Sequence, residues 1–159
     1  MRLMDRRAEI SFSIEPFEAV LAIVPKVNGI PLTELVMAFE REKGYEPVGG
    51  YGGIIPQYFK YGPLDRYYLG LFEQDSYFSR LGRVYLLGCG DCGEVGCWPL
   101  MARVTESSES VVWDCFEQPH RRERDYSSFG PFTFGVESTE KPSQYSAPSF
   151  LPRFQAAKN

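Results

Sequence analysis

The chain has no apolar run long enough to cross a bilayer. Its longest, about Ala19 to Pro25, falls far short of the roughly 20 residues a membrane helix needs. It has no hydrophobic stretch behind its basic Met1–Arg7 start, so no secretory leader is expected. It has no excess of positive charge: 17 Lys and Arg face 21 Asp and Glu, for a net charge of −4. That balance argues against a general nucleic-acid binder, which carries a basic field, and permits a basic protein partner. There is no internal repeat. The only histidine is His120, so a general-base role would fall on it unless a carboxylate took the part. No nucleophile signature flanks it, and its run with Arg121, Arg122 and Arg124 also reads as a solvated loop. These absences predict a cytoplasmic chain with a protein partner, no nucleic acid and no membrane.

At 159 residues the chain has the size of one domain, and its 43% hydrophobic content suffices for a core. The expected fold is α+β. A single domain over residues 1–136 would combine an antiparallel sheet with two or three helices and a Gly/Cys-rich turn. A flexible tail would follow over 137–159, where Ser, Thr, Pro, Gln and Lys dominate. Ala8–Ile14 alternates apolar and polar residues as a half-buried strand does. Val20–Val24 is a more uniformly apolar strand, with Pro25 marking its end or a sheet edge. Asn28-Gly29 is a turn. Leu32, Leu35, Val36 and Phe39 form one stripe of a helix over Pro31–Lys43, with Gly44 as its left-handed stop. Pro63–Gln74 returns to helical spacing, and Asp75–Leu81 would add a further turn. Arg83–Leu87 is a short strand. Leu100–Thr105 and Ser110–Phe116 predict a hairpin, and Phe132–Phe134 a last strand.

The residues that carry chemistry follow Leu87. Gly88-Cys-Gly-Asp-Cys-Gly-Glu-Val-Gly-Cys-Trp98 holds three of the four cysteines. In a reducing compartment such clustering points to metal binding or catalysis rather than disulfides. Cys89-x-x-Cys92-Gly93 has the shape of a zinc knuckle: two thiolates can take one ion from a tight turn, and the glycine lets N–H groups face sulfur. Cys97 would be a third ligand. The fourth would be His120 or Cys115, of which Cys115 alternates with Val111 and Trp113 and so reads as a small buried hydrophobe. The expected cofactor is therefore structural zinc on Cys89, Cys92, Cys97 and His120. Free cysteines packed in a Gly-rich bend, and thiol redox chemistry at Cys89 and Cys92, are the alternatives. A redox pair would want a helix start, which Gly93, Gly96 and Pro99 do not favour. Gly88-x-Gly90-x-x-Gly93 also matches a dinucleotide fingerprint, but the helix that fingerprint needs does not follow.

Residues 44–62 form a long Gly/Tyr/Pro loop. Tyr51, Tyr58 and Tyr61 offer rigid amphipathic contact area for a protein partner, or else cover the core from the side.

Three pieces, Leu-Gly-Cys-Gly-Asp-Cys-Gly-Glu-Val-Gly-Cys-Trp-Pro-Leu over 87–100, Val-Trp-Asp-Cys-Phe-Glu-Gln-Pro-His-Arg over 112–121 and Phe-Gly-Pro-Phe-Thr-Phe over 129–134, together resemble a family of uncharacterised bacterial hypothetical proteins. That family carries a Cys-x-Cys-Gly-Glu-x-Gly-Cys-Trp core, a Trp-x-x-Phe-x-Gln-Pro-His-Arg loop and a Gly-Pro-Phe-x-Phe strand. The resemblance implies that the Cys segment and the loop holding His120 form one unit. It implies no activity. In the family pattern the first two cysteines are often two apart, whereas Cys89 and Cys92 are three apart. The expected function is a non-enzymatic protein-interaction domain, by analogy an immunity- or antitoxin-like inhibitor. The alternative is a metal- or thiol-dependent enzyme that uses the Cys cluster and His120.

Overall fold

A computed structural model describes residues 7–59, 68 and 83–135. Two antiparallel sheets dominate. The first is β1 (Ile10–Phe17), β2 (Val20–Val27) and β3 (Ile30–Pro31), in that order. The second runs β4 (Tyr51–Gly52), β5 (Arg83–Cys89), β6 (Leu100–Glu106), β7 (Ser110–Glu117) and β8 (Phe132–Gly135). One helix, α1 (Leu32–Lys43), follows β3. The expected α+β layout with two or three helices is thus corrected: among the described residues the chain is mostly β, with one short helix. Tight turns join β1 to β2, β2 to β3 and β6 to β7, and the remaining neighbours pair across longer connections, as Tyr51 does with Cys89. The expected helical stretches over 63–74 and 75–81 lie outside the described residues, Tyr68 excepted, as does the tail over 137–159. Among the described residues no helix is long and apolar enough to cross a membrane.

Tight turns set the register. Asn28 and Gly29 have φ of 52° and 81°, the paired positive values of a type I′ turn, whose twist matches the strands it joins. β2 continues through Pro25 to Val27 rather than stopping at the proline. Ile23 exchanges backbone hydrogen bonds with Ile54 on the side away from β1, so by alternation the missing N–H of Pro25 also faces that side. It falls between the Ile54 bridge and the short pairing with β3, where no ladder bond is lost. A second bridge joins Ala8 to Phe134. The two sheets therefore meet at both edges and curl around one core.

That core contains Ile23, Leu32, Val36, Ile54, Leu86, Leu87, Leu100, Met101 and Trp113, each at most 1% exposed. Leu86 and Leu87 are both buried because a bulge puts two β5 residues opposite one of β6. Phe116, Phe129 and Phe132 pack edge-to-face at 4.8–5.8 Å, each pair contributing about 0.5–1.5 kcal/mol beyond its burial. Helix α1 closes with a Schellman motif: Gly44 N–H donates to Arg41 O and Tyr45 N–H to Glu40 O, with Gly44 at φ 76°.

A β7 bulge moves Cys115. From Arg103↔Asp114 to Met101↔Glu117 the register advances two residues on β6 and three on β7. Cys115 takes the extra place at φ 53°, which ends the alternation with Val111 and Trp113 and turns its thiol to solvent. The expected buried hydrophobe is corrected to an exposed cysteine.

Candidate metal centre

The cysteine segment is the connection between β5 and β6. Its first thiol belongs to the last residue of β5, where Cys89 pairs with Tyr51 of β4 and Gly90 N–H donates to Gly50 O at 2.9 Å. This pairing brings the two backbones very close. A Cβ on Gly90 would lie 2.9 Å from Tyr51 O, so a side chain there would part the strands. The chain then folds back on itself. Gly93 N–H donates to Cys89 O at 3.0 Å, Cys89 N–H to Glu94 O at 3.2 Å, and Cys97 N–H to Glu94 O at 3.3 Å. Gly93 makes the bend possible twice over. It has φ 84°, and a Cβ on it would come within 2.7 Å of Ile55 Cδ1.

This folding gathers the sulfur atoms of Cys89, Cys92 and Cys97 within 4.8 Å of one another, with Cys89 buried and the other two exposed. Three thiolates around one ion at Zn–S distances of about 2.3 Å stand about 3.8 Å apart, a spacing that falls within that limit. Asp91 N–H already points at Cys89 Sγ from 3.4 Å. Burial opposes ionisation of Cys89, but the N–H groups of Cys92 and Asp91 and the thiols of Cys92 and Cys97 outweigh it and lower its pKa. The Cys97 thiol, hydrogen-bonded to the Cys92 and Cys89 sulfurs and facing the Cys89 charge, is pushed up to about 11. Between Cys89 and Cys97, ionisation is therefore favoured at the buried sulfur.

The two fourth-ligand candidates sit elsewhere. Cys115 is on the β7 bulge and is outside the group. His120 comes to the same loop but does not join the sulfurs; neither of its ring nitrogens lies within 4.8 Å of all three. Its Nε2 is 2.8 Å from Gly96 O, and a carbonyl can only accept, so Nε2 carries the proton. The ring stacks on Trp98 at 6.4 Å and 11°. His120 thus braces the bend just ahead of Cys97. All four cysteines and the histidine are among the described residues, so the chain has no further thiol or imidazole to offer.

Behind the loop lies a polar network that sequence reasoning missed. Glu40, fully buried on α1, accepts from Gly49 N–H (2.8 Å), Tyr51 OH (2.7 Å), Tyr126 OH (2.6 Å) and Arg124 Nη1 (3.2 Å). Gln118 donates to Tyr51 OH at 3.1 Å and accepts from His120 N–H at 3.0 Å. Trp98 Nε1 donates to Gly49 O at 2.8 Å. Arg121 and Arg124 lie over the Trp98 ring at 5.1 and 5.9 Å. The network ties helix, β4 and the 118–126 loop to the floor of the Cys segment. One signal was available: Glu40 continues the i, i+4 line of Leu32 and Val36, an apolar stripe on which a lone carboxylate demands buried partners.

Of the tyrosines expected on a partner surface, Tyr51 is buried in this network, Tyr58 is 42% exposed, and Tyr61 lies outside the described residues. A cleft of about 570 Å³ opens beside the triad, walled by Pro47, Val48, Tyr51 and Trp98 and lined by Cys89 and Cys97.

No protein-family model, curated protein or solved structure matches this chain.

Proposed function

We propose that this chain binds one thiophilic metal ion, zinc by the chemistry of its donors, through Cys89, Cys92 and Cys97, and leaves one coordination position to an exchangeable ligand. The observation that carries the reading is the gathering of three sulfur atoms within 4.8 Å by one tight glycine-rich turn. Soft thiolates select zinc or monovalent copper over hard cations. Structural zinc sites are closed by four protein ligands, and sites that act on a ligand keep three. With neither ring nitrogen of His120 within 4.8 Å of all three sulfurs and Cys115 on its bulge, the three-ligand arrangement is the one favoured, beside a cleft able to hold a small molecule.

Metal content decides it. Protein purified without chelator should carry one ion per chain by plasma mass spectrometry. Cys92→Ser and Cys97→Ser, which alter exposed residues, should lose the ion while staying folded by circular dichroism. Metal-free wild-type protein that also fails to take up zinc from solution would refute the reading.

A second reading keeps the expected protein-interaction role, in which an immunity-type inhibitor would be one case. It is favoured by Tyr58, which is exposed and lies against Gly93 at the edge of the Cys segment. If it holds, Tyr58→Ser should keep the metal yet lose a stoichiometric partner that the wild type retains on purification from its native host. Recovery of no such partner by the wild type would remove the support.

A further inference from the structure

The fourth position has its own chemistry. Three thiolates leave a zinc ion with a formal net negative charge, so it is a poor acid toward bound water, a hard ligand, and favours a further soft donor. Two of the three ligand residues, Cys89 and Cys97, also line the cleft, so a ligand entering from that side meets the ion. Pro47, Val48 and the Trp98 ring give the lining apolar surface for a carbon skeleton, and Asp91, which also lines it, disfavours an anionic ligand. Trp98 is fixed in place by its bond to Gly49 O and by the His120 stack, so the wall is preformed. At about 570 Å³ the space is that of a small-molecule site.

We infer that the cleft binds a low-molecular-weight thiol, whose sulfur becomes the fourth ligand of the ion held by Cys89, Cys92 and Cys97. This rests on the metal-binding reading above. On binding, the metal–sulfur bond forms, the water at that position leaves, and the thiol proton passes to solvent; no electrons are exchanged. The ion thereby holds the ligand as a thiolate, the nucleophilic form, at a pH where the free thiol is protonated. A cysteine side chain of a peptide shares this chemistry, and the peptide arm of the test below separates the two.

Cobalt(II) substitution tests it on the full chain, with a phosphine in place of thiol reductants. Cobalt bound by three cysteines gives sulfur-to-metal charge-transfer bands that scale with the number of thiolates. Stoichiometric bands lost in Cys92→Ser would uphold the metal site by itself. Titrating ethanethiol, propanethiol and butanethiol should then add charge-transfer intensity saturably at one thiol per chain, while the matching alcohols add none. Burial of each added methylene against Trp98 and Val48 should tighten binding about fourfold. A cobalt spectrum unmoved by any thiol would overturn the inference and leave the metal site standing. Equal affinity along the series, or tighter binding of a cysteine-containing peptide than of butanethiol, would overturn its placement in the cleft. Failure to bind cobalt at all would overturn both.

Discussion

Replacing Glu40 by alanine should be among the most damaging single changes available to this chain. The Glu40 and Arg124 side chains are 0% and 2% exposed and meet at 3.2 Å, in a network that also holds the hydroxyls of Tyr51 and Tyr126. Deleting the carboxylate strands a buried guanidinium and removes the acceptor from two phenols and the Gly49 N–H. Breaking a buried, hydrogen-bonded ion pair from one side costs about 3–5 kcal/mol. Against a total stability of about 5–15 kcal/mol, that is a large fraction. With a urea slope of about 2 kcal/mol/M, the unfolding midpoint should fall by about 2 M. Arg124→Ala should cost less, since the carboxylate keeps its phenol and Gly49 donors. The double variant should be more stable than the sum of the singles by about 1–3 kcal/mol, because the uncompensated charge is gone. Equilibrium urea unfolding followed by tryptophan fluorescence reads all three. A loss under about 1 kcal/mol for Glu40→Ala, or strict additivity in the cycle, would refute the reasoning that this network is a coupled unit.

Three further outcomes are expected. His120→Ala should still bind one zinc per chain by mass spectrometry, with weaker affinity because the brace on Gly96 is lost; loss of stoichiometric metal in a folded variant would make His120 a ligand after all. In metal-loaded protein, iodoacetamide should label Cys115 alone, since its thiol is exposed and outside the triad; peptide mapping that finds Cys92 or Cys97 labelled as quickly would contradict this. Stability should fall under alkaline conditions. Burial, and then the bond to Glu40, raises Tyr126 from its usual value near 10 to about 12 and raises Tyr51 further still. The folded chain keeps protons that the unfolded chain releases above about pH 10, so the contribution is intact below that pH and is lost as pH climbs toward 12. Urea midpoints that stay flat from pH 9.5 to 12 would contradict the buried phenols.

Local features were readable from the residues, and long-range ones much less so. The α1 stripe of Leu32 and Val36, its Gly44 stop, the Asn28-Gly29 turn and the 100–117 hairpin all follow from spacing and turn chemistry, which act over a few residues. The mostly β architecture depends on pairings across the chain, such as Tyr51 with Cys89 and Ala8 with Phe134, which no local pattern announces. Cys115 misled because alternation holds only while the register holds, and one inserted residue reverses the face. The knuckle Cys89-x-x-Cys92 and the third thiol Cys97 were legible because glycines on a tight turn bring near neighbours together. The role of His120 was legible only as proximity. Whether an imidazole near a thiol cluster ligates or braces depends on how near its free ring nitrogen comes to the sulfurs, a distance set by the fold rather than by spacing along the chain.

X-ray absorption at the zinc edge tests the central claim most directly. On zinc-loaded protein in phosphine buffer, the account predicts three sulfur neighbours at about 2.3 Å and one lighter oxygen neighbour, with the fourth becoming sulfur on addition of a thiol. Fewer than three sulfurs, or the outer-shell scattering of an imidazole in place of the light ligand, would contradict it.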